Sequence, residues 1–179
     1  MTDEALMLAV KNGKLDVASD LYDRYSKRLY NYFVKISMDR VVSNDLMQNT
    51  FFRLIKYRHT YKDGNPFRAW MFQIARNVFA DHLRKNKMRV SDYADVEQMG
   101  DRLADKDESE IQSEKEDLLH KSMSKLSEEA REILVLSRYQ NMKYQEISAL
   151  MDISVPAVKV KVHRAIKKLR DYYFELEKI

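Results

Sequence analysis

The densest cluster of chemically active side chains lies in the last quarter of the sequence, on one predicted helix. From Val155 onward, apolar residues recur every three or four positions and cations fill the positions between them. Such a helix has a positive face opposite a buried face, which is what entry into the major groove of DNA requires. The residues predicted to face DNA are Ser154, Pro156, Ala157, Lys159, Lys161, His163, Arg164, Lys167 and Lys168.

A short helix and a tight turn precede this cationic helix. Ile147 and Leu150 define the apolar face of a helix at residues 143–151, and residues 152–154 form the turn. A short helix, a tight turn and a basic helix in this order are typical of a helix-turn-helix module. The cations could instead serve only to stabilise the solvent-exposed C-terminal end of the helix. That explanation does not account for the preceding helix and turn. We therefore predict DNA binding.

A second group of polar and aromatic side chains occupies a predicted helix in the first half of the chain. Its apolar stripe runs from Phe67 to Leu83, behind Asn65 as the predicted cap and Pro66 as the predicted first helical residue. The aromatic residues Phe67, Trp70 and Phe79 belong to this stripe, so we expect them in the core. The polar residues among them are candidates for contact with unpaired bases. They are Arg68, Gln73, Arg76, Asn77 and Arg84.

Further amphipathic segments predict the framework that positions both groups. Apolar residues recur at helical spacing over residues 21–36, and again over residues 47–55 behind Ser43 and Asn44 as candidate caps. A short helix is expected over residues 4–10. Since the chain has three glycines and two prolines, few tight turns are available. The predicted fold is all-α, with two small helical domains of which the second contains the helix-turn-helix.

The charge distribution divides the chain into three parts. Residues 1–87 hold 16 basic and 9 acidic residues, residues 88–116 hold 4 and 10, and residues 117–179 hold 12 and 9. This pattern predicts an N-terminal domain at 1–87, a flexible acidic linker at 88–116 and a C-terminal domain at 117–179. Two basic domains on an acidic connector favour nucleic acid as the partner.

The composition argues against several other classes of protein. There is no cysteine, the four histidines are scattered, and no phosphate-binding glycine loop or nucleophile elbow occurs. We expect no catalytic activity, no metal site and no cofactor. The first residues lack the basic segment and apolar run of a signal peptide, and no run of 18 apolar residues occurs. We therefore expect a cytoplasmic protein without membrane insertion.

Three segments together resemble the sigma factors of bacterial RNA polymerase. The segment DLMQNTF at residues 45–51 is similar to their polymerase-binding segment, and residues 67–84 are similar to their promoter-opening, minus-ten-reading helix. Residues 126–165 resemble their minus-thirty-five-reading domain. Two such domains with a short connector are typical of the extracytoplasmic-function (ECF) class.

This resemblance implies partners and roles for particular residues. The partners are core RNA polymerase, promoter DNA and an anti-sigma factor. Domain 1–87 corresponds to sigma region 2 and domain 117–179 to sigma region 4. The residues implied to dock on the clamp helices of the polymerase are Asp45, Gln48, Asn49 and Phe52. The loop implied to capture a base flipped from the minus-ten element contains Lys62, Asp63, Gly64 and Asn65.

The sequence departs from the usual pattern of this class at several positions. Asn49 replaces a frequent acidic residue, Pro156 and Ala157 replace a glycine and a threonine, and Val160 replaces a serine. The promoter sequence therefore cannot be transferred from relatives.

Two other classes of function are compatible with parts of the sequence. A stand-alone helix-turn-helix transcriptional regulator with a helical partner-binding domain would need no polymerase, but such regulators usually dimerise to read two half-sites. Two unlike basic blocks on an acidic linker favour a monomer that reads two unlike elements. A helical adaptor for protein partners would leave the cations of the last helix without a role.

Overall fold

The computed structural model describes residues 1–92 and 110–179, and every regular element within that part is helical. The α-helices are α1 (Asp3–Lys11), α2 (Ala18–Ser37), α3 (Arg40–Lys56), α4 (Phe67–Asp92), α5 (Glu110–Ser124), α6 (Glu128–Leu134), α7 (Tyr144–Met151) and α8 (Val155–Glu177). They form two compact units. The first carries α1, α3, α4 and most of α2, and the second carries α5 to α8 together with Val34–Met38 at the end of α2. The predicted all-α fold with two helical domains is confirmed.

The first unit is a bundle whose core is built largely from aromatic rings. Tyr32 of α2 meets Phe72 of α4 edge to face, with the ring centroids 5.2 Å apart. Phe72 lies outside the stripe predicted for α4, yet it is fully buried, because α1, α2 and α3 all contribute side chains that pack against α4. Full burial of one such side chain stabilises the folded state by about 1.5–3 kcal/mol relative to leaving it exposed.

Helix α3 begins earlier than predicted. The sequence predicts Ser43 and Asn44 as caps, but the cap is Asp39. The Asp39 carboxylate accepts hydrogen bonds from the backbone N–H groups of Val41 and Val42, at 2.9 and 3.1 Å. Ser43 is buried inside the helix, where its hydroxyl donates to the carbonyl of Asp39. The prediction was wrong because the buried stripe of α3 starts only after a first turn that is mostly exposed.

Helix α4 begins one residue later than predicted, and a distant residue caps it. The sequence predicts Asn65 as the cap and Pro66 as the first helical residue. The backbone N–H of Phe67 donates instead to the side chain of Glu4 on α1, over 3.1 Å. Pro66 still suits this boundary, since its carbonyl accepts from the N–H of Trp70 and its missing donor is not needed there.

The second unit packs α5, α6 and α7 against α8. Ser127 is the N-cap of α6, where its hydroxyl oxygen accepts from the N–H of Ala130 at 3.3 Å. Helix α6 is followed by a π-helical turn, Val135–Tyr139, and then by Asn141, which has a φ of 51°. The helix predicted at residues 143–151 is α7.

The predicted linker at 88–116 falls mainly outside the described residues. Helix α4 continues to Asp92 and α5 begins at Glu110, so both ends of the linker range are helical. Residues 93–109 lie outside the part of the chain that the structure describes. None of the described helices is long and apolar enough to cross a membrane.

Candidate nucleic-acid and polymerase interfaces

The turn between α7 and α8 has a fixed geometry. Asp152 ends α7 in the left-handed region, with φ 53° and ψ 49°. The N–H of Ile153 donates to the carbonyl of Ser148 at 3.1 Å, and the Ser148 hydroxyl donates back to the carbonyl of Ile153 at 2.5 Å. These paired bonds set the direction in which α8 leaves α7. The predicted helix-turn-helix is present.

Ser154 is the N-cap of α8. Its hydroxyl oxygen accepts from the N–H of Ala157 at 3.2 Å, and exposed Pro156 stands in the first turn. The serine side chain therefore holds the helix start that is predicted to approach the bases. The residues of α8 that are buried in the unit are Val158, Val162 and Ala165.

The opposite face of α8 is exposed and positively charged. Its exposed residues are Lys159, Val160, His163, Arg164, Lys167 and Lys168. Several of them line a depression of about 440 Å³ together with Arg138 of the π-helical turn and Tyr144 of α7. Sequence reasoning missed Arg138 and Tyr144, because periodicity within one helix does not show which side chains neighbouring elements add to its face.

Lys161 has a different environment from the other cations of α8. It is partly buried, and its Nζ lies 2.6 Å from Oε1 of Glu129 on α6. Its position, three residues after buried Val158, places it at the edge of the packed face. Lys161 is therefore already paired within the second unit, whereas the sequence grouped it with the cations predicted to contact DNA. Its contact with DNA stays a prediction.

The exposed face of α3 matches the predicted docking face. The predicted docking residues Asp45, Gln48, Asn49 and Phe52 are all exposed. The intervening residues are buried in the bundle, among them Leu46, Met47, Thr50 and Phe51. Phe52 is 65% exposed, which is unusual for a ring of this size beside an aromatic core. An exposed ring flanked by polar side chains on one helix face suits a protein partner.

The loop before α4 presents four exposed residues. They are Lys62, Asp63, Gly64 and Asn65. Gly64 has a φ of +80°, a conformation that glycine adopts without a steric cost. The Tyr61 hydroxyl donates to the carbonyl of Asn65 at 2.5 Å, and the N–H of Asn65 donates to the carbonyl of Lys62 at 3.2 Å. Hydrogen bonds to backbone carbonyls thus shape the loop while its side chains remain accessible.

The polar side chains predicted on α4 fall into two groups. Gln73, Asn77 and Arg84 are exposed, and their spacing of four and seven residues puts them on one face of the helix. Arg68 and Arg76 are partly buried and engaged with neighbouring groups. The first group is therefore the more accessible to a nucleic acid.

The aromatic residues of α4 lie mainly in the core, as predicted. Phe67 is fully buried and meets Tyr25 edge to face, with centroids 5.3 Å apart. Trp70 is partly buried and packs against Tyr61 at a centroid distance of 5.1 Å. Phe79 stacks on His82. These rings support the helix from beneath its polar face.

Asp81 joins α3 to α4. Its carboxylate oxygen Oδ2 lies 2.7 Å from Nη1 of Arg53, and Oδ1 accepts a hydrogen bond from Arg84. The hydrogen bond from Arg53 is the main cause that lowers the pKa of Asp81. Arg84 is largely exposed in this pair, so its guanidinium retains donors for a phosphate.

Within residues 1–92 and 110–179, no group of three or more histidine, aspartate and glutamate side chains is arranged to hold a metal ion. The charged surfaces described above are made of cations on α8 and α4 and of polar residues on α3. Side chains of these types can pair with phosphates, donate hydrogen bonds to bases and contact protein.

Two conserved regions of the sigma-70 family match two different parts of this chain. Sigma-70 region 2 matches residues 21–89, which include α3, the loop before α4 and most of α4. Sigma-70, region 4 matches residues 116–169, which include the helix-turn-helix.

Two similar relatives cover nearly the whole chain. The RNA polymerase sigma factor CarQ of Myxococcus xanthus is 30% identical over 167 residues, covering 93% of this chain and 95% of the relative. The ECF RNA polymerase sigma factor SigM of Bacillus subtilis (strain 168) is 32% identical over 155 residues, covering 86% and 93%.

A solved structure shares the fold. It is the sigma factor RpoE in complex with the anti-sigma factor NepR from Bartonella quintana, with a TM-score of 0.71 and 22% identity. The alignment covers 86% of this chain and 94% of that chain. At 22% identity, this similarity shows that the two chains share a fold.

Proposed function

This chain belongs to the extracytoplasmic-function class of RNA polymerase sigma factors, and we propose which of its residues contact the polymerase and which contact each promoter element. It binds core RNA polymerase and directs transcription initiation at specific promoters. The proposal concerns which surfaces make each contact.

The second domain, residues 117–179, reads the minus-thirty-five element through α8. The observation that carries this assignment is the exposed cationic face opposite the buried valines of α8. With the first turn entering the major groove, Lys159 and Arg164 lie near base edges, where a good bidentate contact contributes about 1–3 kcal/mol of discrimination. Lys167 and Lys168 lie farther along and meet phosphates. His163 lies between Lys159 and Arg164 along the helix.

The first domain, residues 1–87, docks on the polymerase through α3. Asp45, Gln48 and Asn49 provide polar contacts and Phe52 provides an apolar anchor. The support is their common exposure on one face, with the packed stripe of α3 behind them. Residues 88–116 connect this domain to the second one.

The same domain reads and opens the minus-ten element. We assign the capture of a flipped base to the loop of residues 62–65, the minus-ten loop, because its side chains are exposed beside the start of α4. Gln73, Asn77 and Arg84 on the exposed face of α4 then follow the separated strand. Arg68 and Arg76, which are partly buried, add positive charge beside this face.

An anti-sigma factor completes the set of proposed partners. The solved relative named above is bound to one, and a protein that covers α3 or α8 would block the surfaces assigned here. Because a sigma factor acts together with RNA polymerase, we place this chain in the cytoplasm. A stand-alone helix-turn-helix regulator is disfavoured, since it would leave the exposed face of α3 without a role.

Replacement of residues 62–65 by a glycine-serine stretch tests whether this loop acts in promoter opening and not in core polymerase binding. Holoenzyme reconstituted with this variant should bind core polymerase and the upstream element normally, but open the promoter less. Permanganate reactivity of unpaired thymines measures opening, and a pull-down measures core binding. An unchanged open complex on the native promoter would remove the minus-ten loop from the assignment.

A further inference from the structure

We infer that α1 is a brace for the minus-ten loop, and that Glu4 and Lys11 are positioning residues that set the distance between the two ends of this loop. The inference rests on the function proposed for residues 62–65. Neither residue belongs to the surfaces assigned so far. Each contacts the backbone at one boundary of the loop.

Glu4 holds the downstream end. Its Oε1 accepts a hydrogen bond from the backbone N–H of Phe67 at 3.1 Å. This N–H has no partner within α4, because it belongs to the first turn. Pro66 cannot cap the helix with its side chain, and the carboxylate is favoured by the positive end of the helix dipole. Glu4 thus fixes where the loop ends and the helix begins.

Lys11 holds the upstream end. Its Nζ donates to the carbonyl of Tyr61 at 2.6 Å, in a partly buried site. A charge-assisted bond of this length is stronger than a neutral one. It acts on the residue directly before the loop, and the ring of Tyr61 is fully buried. The carbonyl and the ring of Tyr61 are therefore held by separate contacts.

Helix α1 is itself fixed, so it can act as a brace. Leu6, Met7 and Val10 are buried with exposures of at most 1%. At its start, Asp3 accepts from the hydroxyl of Tyr25 at 2.5 Å and from Arg24 at 2.8 Å. Burial and the bond to Asp3 raise the pKa of Tyr25 to about 12, so this hydroxyl remains a donor at neutral pH.

Two hydrogen bonds within residues 61–65 shape the loop, and the two anchors hold its ends. Its four residues are exposed, so little packing restrains them. A loop with both ends fixed has fewer conformations to lose when a base enters. Release of one end lowers the fraction of loops in the competent shape, and the apparent affinity for the base falls by the same factor. We expect a loss of about three-fold to ten-fold for each anchor.

The first test measures loop motion without DNA. Since the natural chain has no cysteine, Asp63→Cys gives a single site for a nitroxide label in the loop. Glu4→Ala and Lys11→Met, each in this background, should increase label mobility in the electron paramagnetic resonance spectrum. Glu4→Gln should retain the wild-type spectrum, because its amide oxygen still accepts from the N–H of Phe67.

The second test measures binding of a single-stranded oligonucleotide that carries the non-template minus-ten sequence of a mapped promoter. Holoenzyme with Glu4→Ala or Lys11→Met should bind it about three-fold to ten-fold more weakly. Affinity for core polymerase should not change. Asp20→Ala and Lys14→Met, at exposed positions outside the brace, are matched controls and should behave like wild type. Circular dichroism verifies folding, and Lys11→Met serves if Glu4→Ala unfolds.

The two tests separate failure of this inference from failure of the proposed function. Unchanged label mobility in folded Glu4→Ala and Lys11→Met proteins would overturn the brace. Increased mobility with unchanged oligonucleotide binding, in these variants and in the glycine-serine loop variant, would leave the brace standing and overturn base capture by the loop. Loss of binding in the loop variant alone, with increased mobility in the brace variants, would overturn the positioning role.

Discussion

Lys161 on α8 and Glu129 on α6 form an ion pair, with 2.6 Å between Nζ and Oε1. The pair joins the helix that carries the cationic face to the helix packed behind it. The Lys161 and Glu129 side chains are 38% and 57% exposed, so solvent screens the pair and it contributes at most about 1 kcal/mol to the free energy of unfolding. Its larger consequence concerns DNA binding, because the charge of Lys161 is already neutralised within the protein.

We predict that Lys161→Ala affects the salt dependence of promoter binding less than Lys168→Ala does. Each phosphate neutralised by a cation releases counterions and adds about 0.9 to the slope of log affinity against log salt concentration. Lys168→Ala should therefore lower the slope by about one unit. Lys161 would have to leave Glu129 to contribute. Holoenzyme binding at several salt concentrations measures both slopes, and equal reductions would show that the ion pair opens on DNA.

The docking face of α3 gives a second prediction. Asp45→Arg reverses an exposed charge and should weaken core polymerase binding by about 1–2 kcal/mol, or roughly 5-fold to 30-fold. Helicity should remain the same, because the side chain is outside the bundle. Asp23→Arg on α2, also at an exposed position, is the matched control. Wild-type core affinity of a folded Asp45→Arg protein would remove Asp45 from the interface.

The regular parts of both units were predictable from the sequence. Buried stripes on α2, α4 and α8 follow helical spacing, and the serines that cap α6 and α8, Ser127 and Ser154, directly precede these helices. These signals are local, since a stripe and a cap need information from a few neighbouring residues.

The parts that were missed depend on contacts between distant residues. The start of α4 is capped by Glu4, which no pattern near Asn65 indicates. The burial of Phe72 follows from the packing of three helices around α4. Arg138 and Tyr144 reach the cationic face from other elements of the second unit. In each case the tertiary arrangement decides the environment, and one sequence does not reveal it.

The cap of α8 gives a prediction on stability. Ser154→Ala removes the acceptor of the Ala157 N–H and should lower the free energy of unfolding by about 1 kcal/mol. Ser154→Asp keeps an acceptor at this position and should retain most of the stability. Chemical denaturation followed by circular dichroism compares them. An alanine variant as stable as wild type would show that the cap contributes nothing, and would leave a role in DNA contact as the reason for a serine.

His82 predicts a pH dependence of stability. Burial lowers its pKa below the ordinary value of 6.5, so the unfolded chain binds this proton more tightly than the folded protein. The stabilisation by the neutral ring is therefore fully present above pH 6.5 and is lost as the pH falls through the folded pKa. Nearby Asp39 opposes the shift, while Arg89 and Lys85 add to it.

His82→Gln should reduce the loss of stability between about pH 7 and pH 5, and His59→Gln, at an exposed position, is the control variant. Urea denaturation at a series of pH values measures the effect. The same pH dependence in wild type and His82→Gln would show that other groups cause it.

The most direct test of which domain reads which promoter element is a selection experiment. Reconstituted holoenzyme selects active promoters from a randomised library. Wild type should enrich two separated elements. Lys159→Ala and Arg164→Ala should alter base preferences in the upstream element alone, at a cost of about 1–3 kcal/mol at particular base pairs. The glycine-serine variant of the minus-ten loop should alter the downstream element alone, and Lys168→Ala should weaken all promoters alike. The account is contradicted if Lys168→Ala changes base preference while Lys159→Ala and Arg164→Ala weaken every promoter equally, or if the loop variant changes the upstream element.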